Sequence, residues 1–443
     1  MNIQLSEHFT YKKLLRFILP SIIMMVFTSI YSVVDGIFVS NFVGKSAFAS
    51  VNLIMPYLMG ISALGFMIGT GGSAFVSKTL GEGKKKLANQ YFSMLVTIAA
   101  IGGFVLSVLS FIFMRRIVMA FGAASDLIDY CTLYGRISCI SLTAFMLQNV
   151  FQSFFVAAGK PQLGLKVIVA AGCTNIVLDA LFIGVLHFGI AGAAFATMTS
   201  EFIGGLLPGG YFFRKNDSLL HFVKPVFDRR VFLKTCTNGS SELMTNLSMS
   251  LVNALYNLQL MKIAGENGVA AYGAVMYVNF IFVATFLGYA IGCAPVISYH
   301  YGAGNHAELK NLYKKSMSII LVWGVILFGA AQLLAPVLSK IFVGYNTGLY
   351  AMTLHGFRVY AIAFLIIGIN IFGSSFFTAL NNGLISAVIS FLRTLVFQVI
   401  MVLTLPLWFG INGIWSAISI AEALTLIMTT TFFVRQKDKY HYL

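Results

Sequence analysis

The sequence predicts an all-α polytopic membrane protein: twelve transmembrane helices in two six-helix lobes, related by a pseudo-two-fold axis along the membrane normal. Three observations lead there. First, the 443 residues are 58% hydrophobic and only 10% charged, with a mean hydropathy of +0.88, whereas a soluble domain is about 25% charged. Second, charges sit in short clusters between long uncharged runs such as 46–77, 267–307 and 359–392. Third, the second half of the chain repeats the first at an offset of 221 residues. Disordered chains, disulfide scaffolds and ordinary soluble enzymes are excluded. The net charge of +15 does not point to nucleic acid, because the Lys and Arg residues form no polar face, and no nucleic-acid partner is expected.

A helix needs about 20 mostly apolar residues to cross the hydrocarbon. The first span, 14–38, follows Lys12, Lys13 and Arg16, contains Pro20 and carries Asp35 near its end. It has no small-residue cleavage site and is not a signal peptide. Spans 50–77, 91–114 and 131–157 follow, separated by Lys84–Lys86 and by Arg115 and Arg116. Spans 163–186 and 190–213 are joined by a short loop at Leu186–Gly189, which makes them antiparallel neighbours. Residues 1–213 form the N-terminal lobe, 214–230 a basic cytoplasmic linker and 231–443 the C-terminal lobe. The second lobe holds spans 231–261, 268–298, 316–339, 356–380, 385–407 and 411–434. Spans this long must satisfy their backbone hydrogen bonds internally, so they are helices and not barrel strands. Both termini are expected in the cytoplasm, since that choice puts 22 Lys and Arg inside and seven outside. The five cysteines form no CxxC and imply no disulfide framework or metal site.

At the 221 offset Gly44 falls on Gly265, Gly81-Glu82-Gly83 on Gly302-Ala303-Gly304, and Phe188-Gly189-Ile190 on Phe409-Gly410-Ile411. Gly135 falls on Gly356, Asn149 on Asn370 and Glu201 on Glu422. An even number of spans per repeat gives both halves the same orientation. Duplicated bundles of this kind place the substrate at the interface between halves and alternate its access by rocking. A channel is disfavoured, because two unlike halves make no symmetric pore and no filter motif is present.

Ionisable groups inside spans cost roughly 2.5–3.5 kcal/mol each on insertion scales, so each needs a reason. The candidates are Asp35, Asp179, Glu201, Glu242 and Glu422. Asn175 and Asp179 are four residues apart, as are Thr197 and Glu201, so each pair shares a helix face. The short loop between their helices brings Asp179 and Thr197 to matching depth. With Asp35 they can form a cluster of oxygen donors, suited to a hard cation or a proton; polar glue between helices is the alternative. At the offset, these four positions meet Tyr256, Val396, Ile400 and Ile418, so the cluster is confined to the N-terminal lobe. Glu201 and Glu422 recur, which suggests a shared architectural role, and Glu242 stands opposite Ser21. Arg393 is read as snorkelling to the cytoplasmic face. Pro20 removes a helical hydrogen bond and would kink the first helix. No HExxH, GxSxG or P-loop is present and the histidines make no catalytic set. The chain is therefore read as no enzyme, with no cofactor and no metal beyond a possible sodium ion. An ion gradient or a partner must supply energy.

Twelve spans in two lobes, Pro20 with Asp35, Gly81-Glu82-Gly83, Asn175 with Asp179, and Thr197 together resemble the multidrug and toxic compound extrusion (MATE) family, in its bacterial multidrug exporter branch. The resemblance covers the whole chain. It implies an antiporter of the bacterial cell membrane that exports bulky amphipathic, often cationic, drug-like compounds against protons or sodium. Family members hold the coupling ion on residues that correspond to Asp35, Asn175, Asp179 and Thr197. The proton is favoured, since any Asp pair can carry it, and sodium is kept open. Glu242, Glu201, Asn149 and Asn370 are further candidates for substrate or coupling contacts. Another branch of the family pairs a Glu of helix 7 with an Asp of helix 10; Glu242 is present here, but the tenth span offers Asn370. Met24, Met25, Met55, Met59 and Met67 would make adaptable apolar walls near the lobe interface. The expected partners are small molecules and membrane lipids, with the chain acting as a monomer. The rival readings are a lipid-linked saccharide flippase of the same superfamily and, from another class, an intramembrane enzyme using Asp35 and Asp179.

Overall fold

Each long uncharged run folds as a helix. The computed structural model describes residues 3–123 and 125–443. The first lobe comprises α1 (Tyr11–Phe38), α2 (Lys45–Gly81), α3 (Lys85–Ala120), α4 (Ser125–Ala157), α5 (Pro161–Asp179) and α6 (Gly189–Phe213). The stretch Arg229–Gly302 is two helices, because Gly265 at φ 62° and ψ −153° breaks it into α7 (229–264) and α8 (266–302). Unbroken, 74 residues would run roughly 110 Å, against a hydrocarbon core of about 30 Å. The second lobe is completed by α9 (His306–Val343), α10 (Thr347–Ala379), α11 (Gly383–Phe409) and α12 (Ile411–Tyr440). Among the described residues, eleven continuous helical stretches could cross a membrane, and the break at Gly265 makes this consistent with twelve crossings. No strand occurs among the described residues.

The helices outrun the predicted spans. Span 50–77 is part of Lys45–Gly81, 91–114 of Lys85–Ala120, and 356–380 begins nine residues into Thr347–Ala379. A basic cluster marks the edge of the hydrocarbon, not the end of a helix, since Lys and Arg are good helix formers that reach the headgroups. Helices end instead at turns that require positive φ, and these recur between lobes. Gly44 (112°) pairs with Gly265 (62°), Gly83 (79°) with Gly304 (66°), and Gly189 (60°) with Gly410 (55°), all at the 221 offset. Gly159 (73°) pairs with Asn381 (58°) at 222. A left-handed backbone is open to Gly at no steric cost, so the repeat seen in sequence is a repeat of turns.

Each lobe has its own cores. Phe92, Phe151, Phe154, Phe155 and Phe212 interlock in the first, and Phe364, Phe372, Phe376, Phe377 and Phe433 in the second. The lobes meet along α2, α7 and α8, with α1 laid against α8. There the backbones touch. A Cβ at Gly239 would collide with the Met67 carbonyl, one at Gly81 with the Tyr299 carbonyl and one at Gly302 with the Lys78 carbonyl. Further from that end the lobes part: a Cβ at Gly60 would meet only the tip of Leu247 at 3.4 Å, and Met59, Leu247 and Leu251 are exposed. The interface is sealed where the 81–84 and 302–305 turns meet and opens towards the other end.

Residues 3–10 form a strap that leaves α1 and seats on the C-terminal lobe. Phe9 and Leu5 are buried there. Phe9 N donates to Glu308 Oε1 at 2.9 Å, and its carbonyl accepts from Asn311 Nδ2 at 3.0 Å and Lys315 Nζ at 2.6 Å. The linker after α6 runs extended over the first lobe: His221 N donates to Asn89 Oδ1 at 2.6 Å and Val223 N to Ser93 Oγ at 2.9 Å. The C-terminal Tyr442 is buried against Tyr313, Phe376 and Phe433.

Candidate functional site

Two cavities, one in each lobe, hold most of the candidate residues. The first, about 110 Å³, is enclosed by α1, α2, α4, α5 and α6 and is lined by Asp35, Asn175, Thr197 and Glu201 together with Tyr31, Tyr134, Ser138, Met55 and Met59. Asp179 lies just behind this lining, fully buried, with its carboxyl beside that of Asp35. α5 ends at Asp179 and continues as one wide π turn, Ala180–Val185, a geometry often found at functional sites. The four candidate coupling residues therefore come together from three helices.

Their oxygens are unspent. Asp35 Oδ1, Asn175 Oδ1, both Asp179 carboxylate oxygens and Thr197 Oγ1 are buried without a hydrogen-bond partner of good geometry, although the Tyr134 hydroxyl sits beside Thr197. Buried polar atoms are nearly always paired, so a cluster of orphans marks a place for a ligand. The set is all hard oxygen, two of its members being carboxylates. It fits a sodium ion, or a proton shared between the carboxyl groups. α1 is one continuous helix, Tyr11–Phe38, with Pro20 inside it. The proline's effect is to deprive the Arg16 carbonyl of its N–H partner.

Glu201 faces the same cavity, beside Ser141 and within electrostatic reach of Asp35. Glu422, its repeat partner, does something different. Arg393 Nε donates to Glu422 Oε1 at 2.8 Å, and Asn370 Nδ2 donates to Glu422 Oε2 at 2.7 Å and to its carbonyl at 2.9 Å. The expectation of one shared role for the two glutamates does not hold: one lines a cavity open to a cation, the other already holds one. Nor does Arg393 snorkel. It sits in a π turn of α11, Leu392–Val396, and its guanidinium is held by the Glu422 carboxylate. At the offset, Arg393 corresponds to Gly172 of the first lobe.

This pair lines the second cavity, about 180 Å³, with Met25, Met249, Met276, Tyr256, Tyr272 and Tyr360 among its walls. Tyr256 stands where the first lobe has Asp35 and stacks on Tyr272 at 4.9 Å. Glu242, on α7, is half-buried and within electrostatic reach of Arg393. Asn149 is buried in the first lobe, its Nδ2 donating to the Ser62 carbonyl at 3.4 Å. Of the methionines, Met55 and Met59 line the first cavity and Met25 the second, Met67 touches α7 through its backbone, and Met24 is buried. Sequence reasoning passed over Tyr31 and Tyr134. Tyr31 is four residues before Asp35 and Tyr134 four before Ser138, so the helical spacing that found Asn175 with Asp179 could have found them.

The MatE family model matches this chain twice, over residues 20–181 and 243–404. The chain is similar to the multidrug export protein MepA of Staphylococcus haemolyticus, 24% identical over 425 residues that cover 95% of this chain and 92% of that protein. The MepA of Staphylococcus saprophyticus is 23% identical and covers 97% of this chain and 94% of its own. Among solved structures, the outward-facing conformation of a multidrug resistance MATE family transporter of the MOP superfamily superposes with a TM-score of 0.92 at 23% identity, covering 98% of both chains. A MATE in its straight conformation gives the same figures.

Proposed function

The chain belongs to the MatE family, and from that premise we propose that it is a multidrug efflux antiporter, exporting bulky amphipathic and often cationic compounds against an inward flow of protons or sodium. The observation that carries this reading is the group of unpartnered oxygens on Asp35, Asn175, Asp179 and Thr197, present in one lobe only. Two carboxylates in a water-poor cavity are costly when left uncompensated. A coupling ion compensates them from one side of the membrane, and its release to the other side restores the cost. Energy can then pass to the lobes through α1, which carries Asp35 and also packs against α8.

The charge asymmetry of the loops supports a bacterial inner-membrane orientation with both termini in the cytoplasm. In that orientation the sealed end of the lobe interface is cytoplasmic and the cleft opens outward. Substrate would bind between the lobes, where Met and aromatic walls adapt to varied apolar shapes, and the acidic first cavity would offset a cationic centre. One chain carries both lobes, which supports action as a monomer. The flippase alternative needs a free deep cation for pyrophosphate, and Arg393 is already paired with Glu422.

Ethidium efflux from everted vesicles tests the proposal, with proton and sodium gradients imposed separately. Wild type should export under one gradient, and Asp35→Asn should reduce that export at least tenfold while the protein stays folded in the membrane. Undiminished efflux by Asp35→Asn would remove the assigned coupling site. If no cationic dye moves under either gradient, drug export itself fails.

A further inference from the structure

A third cavity, about 270 Å³, opens at the end of the bundle where the lobes are sealed. Arg16 of α1, Lys160 in the turn before α5 and Lys166 on α5 all line it, and no acidic residue does. Among the described residues no ion pair involves any of the three. On the same face Lys13 pairs with Glu7, and Lys78 and Lys84 with Glu82, while Lys85 and Lys86 make no ion pair among the described residues; what sets Arg16, Lys160 and Lys166 apart is that they line one cavity. α5 starts at this cavity with Pro161 as its first residue, so the positive end of a 19-residue helix adds to the three cations. Phe17 and Leu163 give the cavity apolar lining, and Leu15 and Leu19 of α1 are exposed.

The repeat shows that this cluster is particular to one lobe. Arg16 corresponds to Thr237 at the 221 offset, and Lys160 and Lys166 correspond to Asn382 and Val388 at the 222 that pairs Gly159 with Asn381, or to Asn381 and Ala387 at 221; none of these is charged. A topology signal would be served by cations in either lobe. A converging, unpaired set beside apolar lining is what a phosphate with a hydrocarbon tail requires.

We propose that this cavity binds the phosphate of an anionic phospholipid headgroup, tying the first turns of α1 to the start of α5. A free phosphate shares the headgroup's chemistry, and the test separates the two sources. The inference does not depend on the coupling ion or the exported compound.

The full chain, purified in detergent and stripped of lipid, would be titrated with phosphatidylglycerol, with phosphatidylcholine and with inorganic phosphate, and bound lipid counted by native mass spectrometry. Two variants that each lose three positive charges are compared: Arg16→Gln/Lys160→Gln/Lys166→Gln, and Lys84→Gln/Lys85→Gln/Lys86→Gln. Phosphatidylglycerol should bind wild type in preference to phosphatidylcholine. The cavity variant should weaken that binding tenfold or more, and the other variant less than threefold. Equal weakening in both variants, or none in either, would overturn the site. Full displacement of the lipid by an equal concentration of inorganic phosphate would keep the anion site and overturn the lipid as its ligand. Should the triple cavity variant fail to fold, Lys166→Gln alone, an exposed position, is expected to weaken binding about threefold, and no change there counts against the site.

Discussion

Replacing Arg393 by glutamine should leave Glu422, only 1% exposed, as a buried carboxylate with Asn370 as its remaining partner. Removing one member of such a pair costs about 3–5 kcal/mol, because the charge left behind stays desolvated. Arg393→Gln/Glu422→Gln removes both charges and should recover most of that loss. Thermal unfolding of the purified variants measures it, and an equal drop in both would mean that the lone carboxylate is not the cause. At this scale the sequence was readable where partners lie on one helix or across a short loop. Asn175 and Asp179 share a face by spacing alone, and the loop at Leu186–Gly189 sets Thr197 opposite. Arg393 and Glu422 are 29 residues apart, and their meeting depends on a π turn that no side-chain pattern announces.

At the scale of elements, the crossing of α2 and α7 works because a glycine sits at the point of contact. Gly239→Ala would push a methyl group into the Met67 carbonyl and should destabilise the fold by roughly 1–3 kcal/mol. Gly273→Ala, on α8 with nothing within 4 Å of the added carbon, should instead be neutral or stabilise by up to about 1 kcal/mol. Opposite signs in the unfolding midpoints are the expected result; two variants that behave alike would show that close backbone approach is not what Gly239 provides. Helix identity was legible because uncharged runs of this length have no other stable form in hydrocarbon. Helix ends were not: Lys45, Lys85 and Thr347 open helices well outside the apolar stretch, since polar helix formers extend a helix into the headgroups beyond what hydropathy marks.

For the whole molecule, the 221-residue repeat was visible in sequence and returns as matched turns at Gly44 and Gly265, Gly83 and Gly304, and Gly189 and Gly410. What the repeat could not convey is how far the two lobes have diverged inside. The first keeps Asp35, Asp179 and Glu201 without an ion pair among the described residues; the second neutralises Glu422 with Arg393 and puts Tyr256 where Asp35 would be. Those differences come from side chains packed across helices, and an offset registers only which residues replaced which.

The strap at residues 3–10 should help the molecule to tolerate being cut. The first lobe is held to the second by Phe9 of the strap and by the packing of α1 and α2 against α7 and α8, so the covalent linker is only one of several moorings. Its exposed stretch around Pro225 and Val226 could be severed without setting the lobes adrift. Residues 1–225 and 226–443, expressed together as separate chains, should copurify, and deleting residues 3–9 from the first fragment should loosen that association. Fragments that part with the strap intact, or that stay together equally well without it, would show that the mooring lies elsewhere.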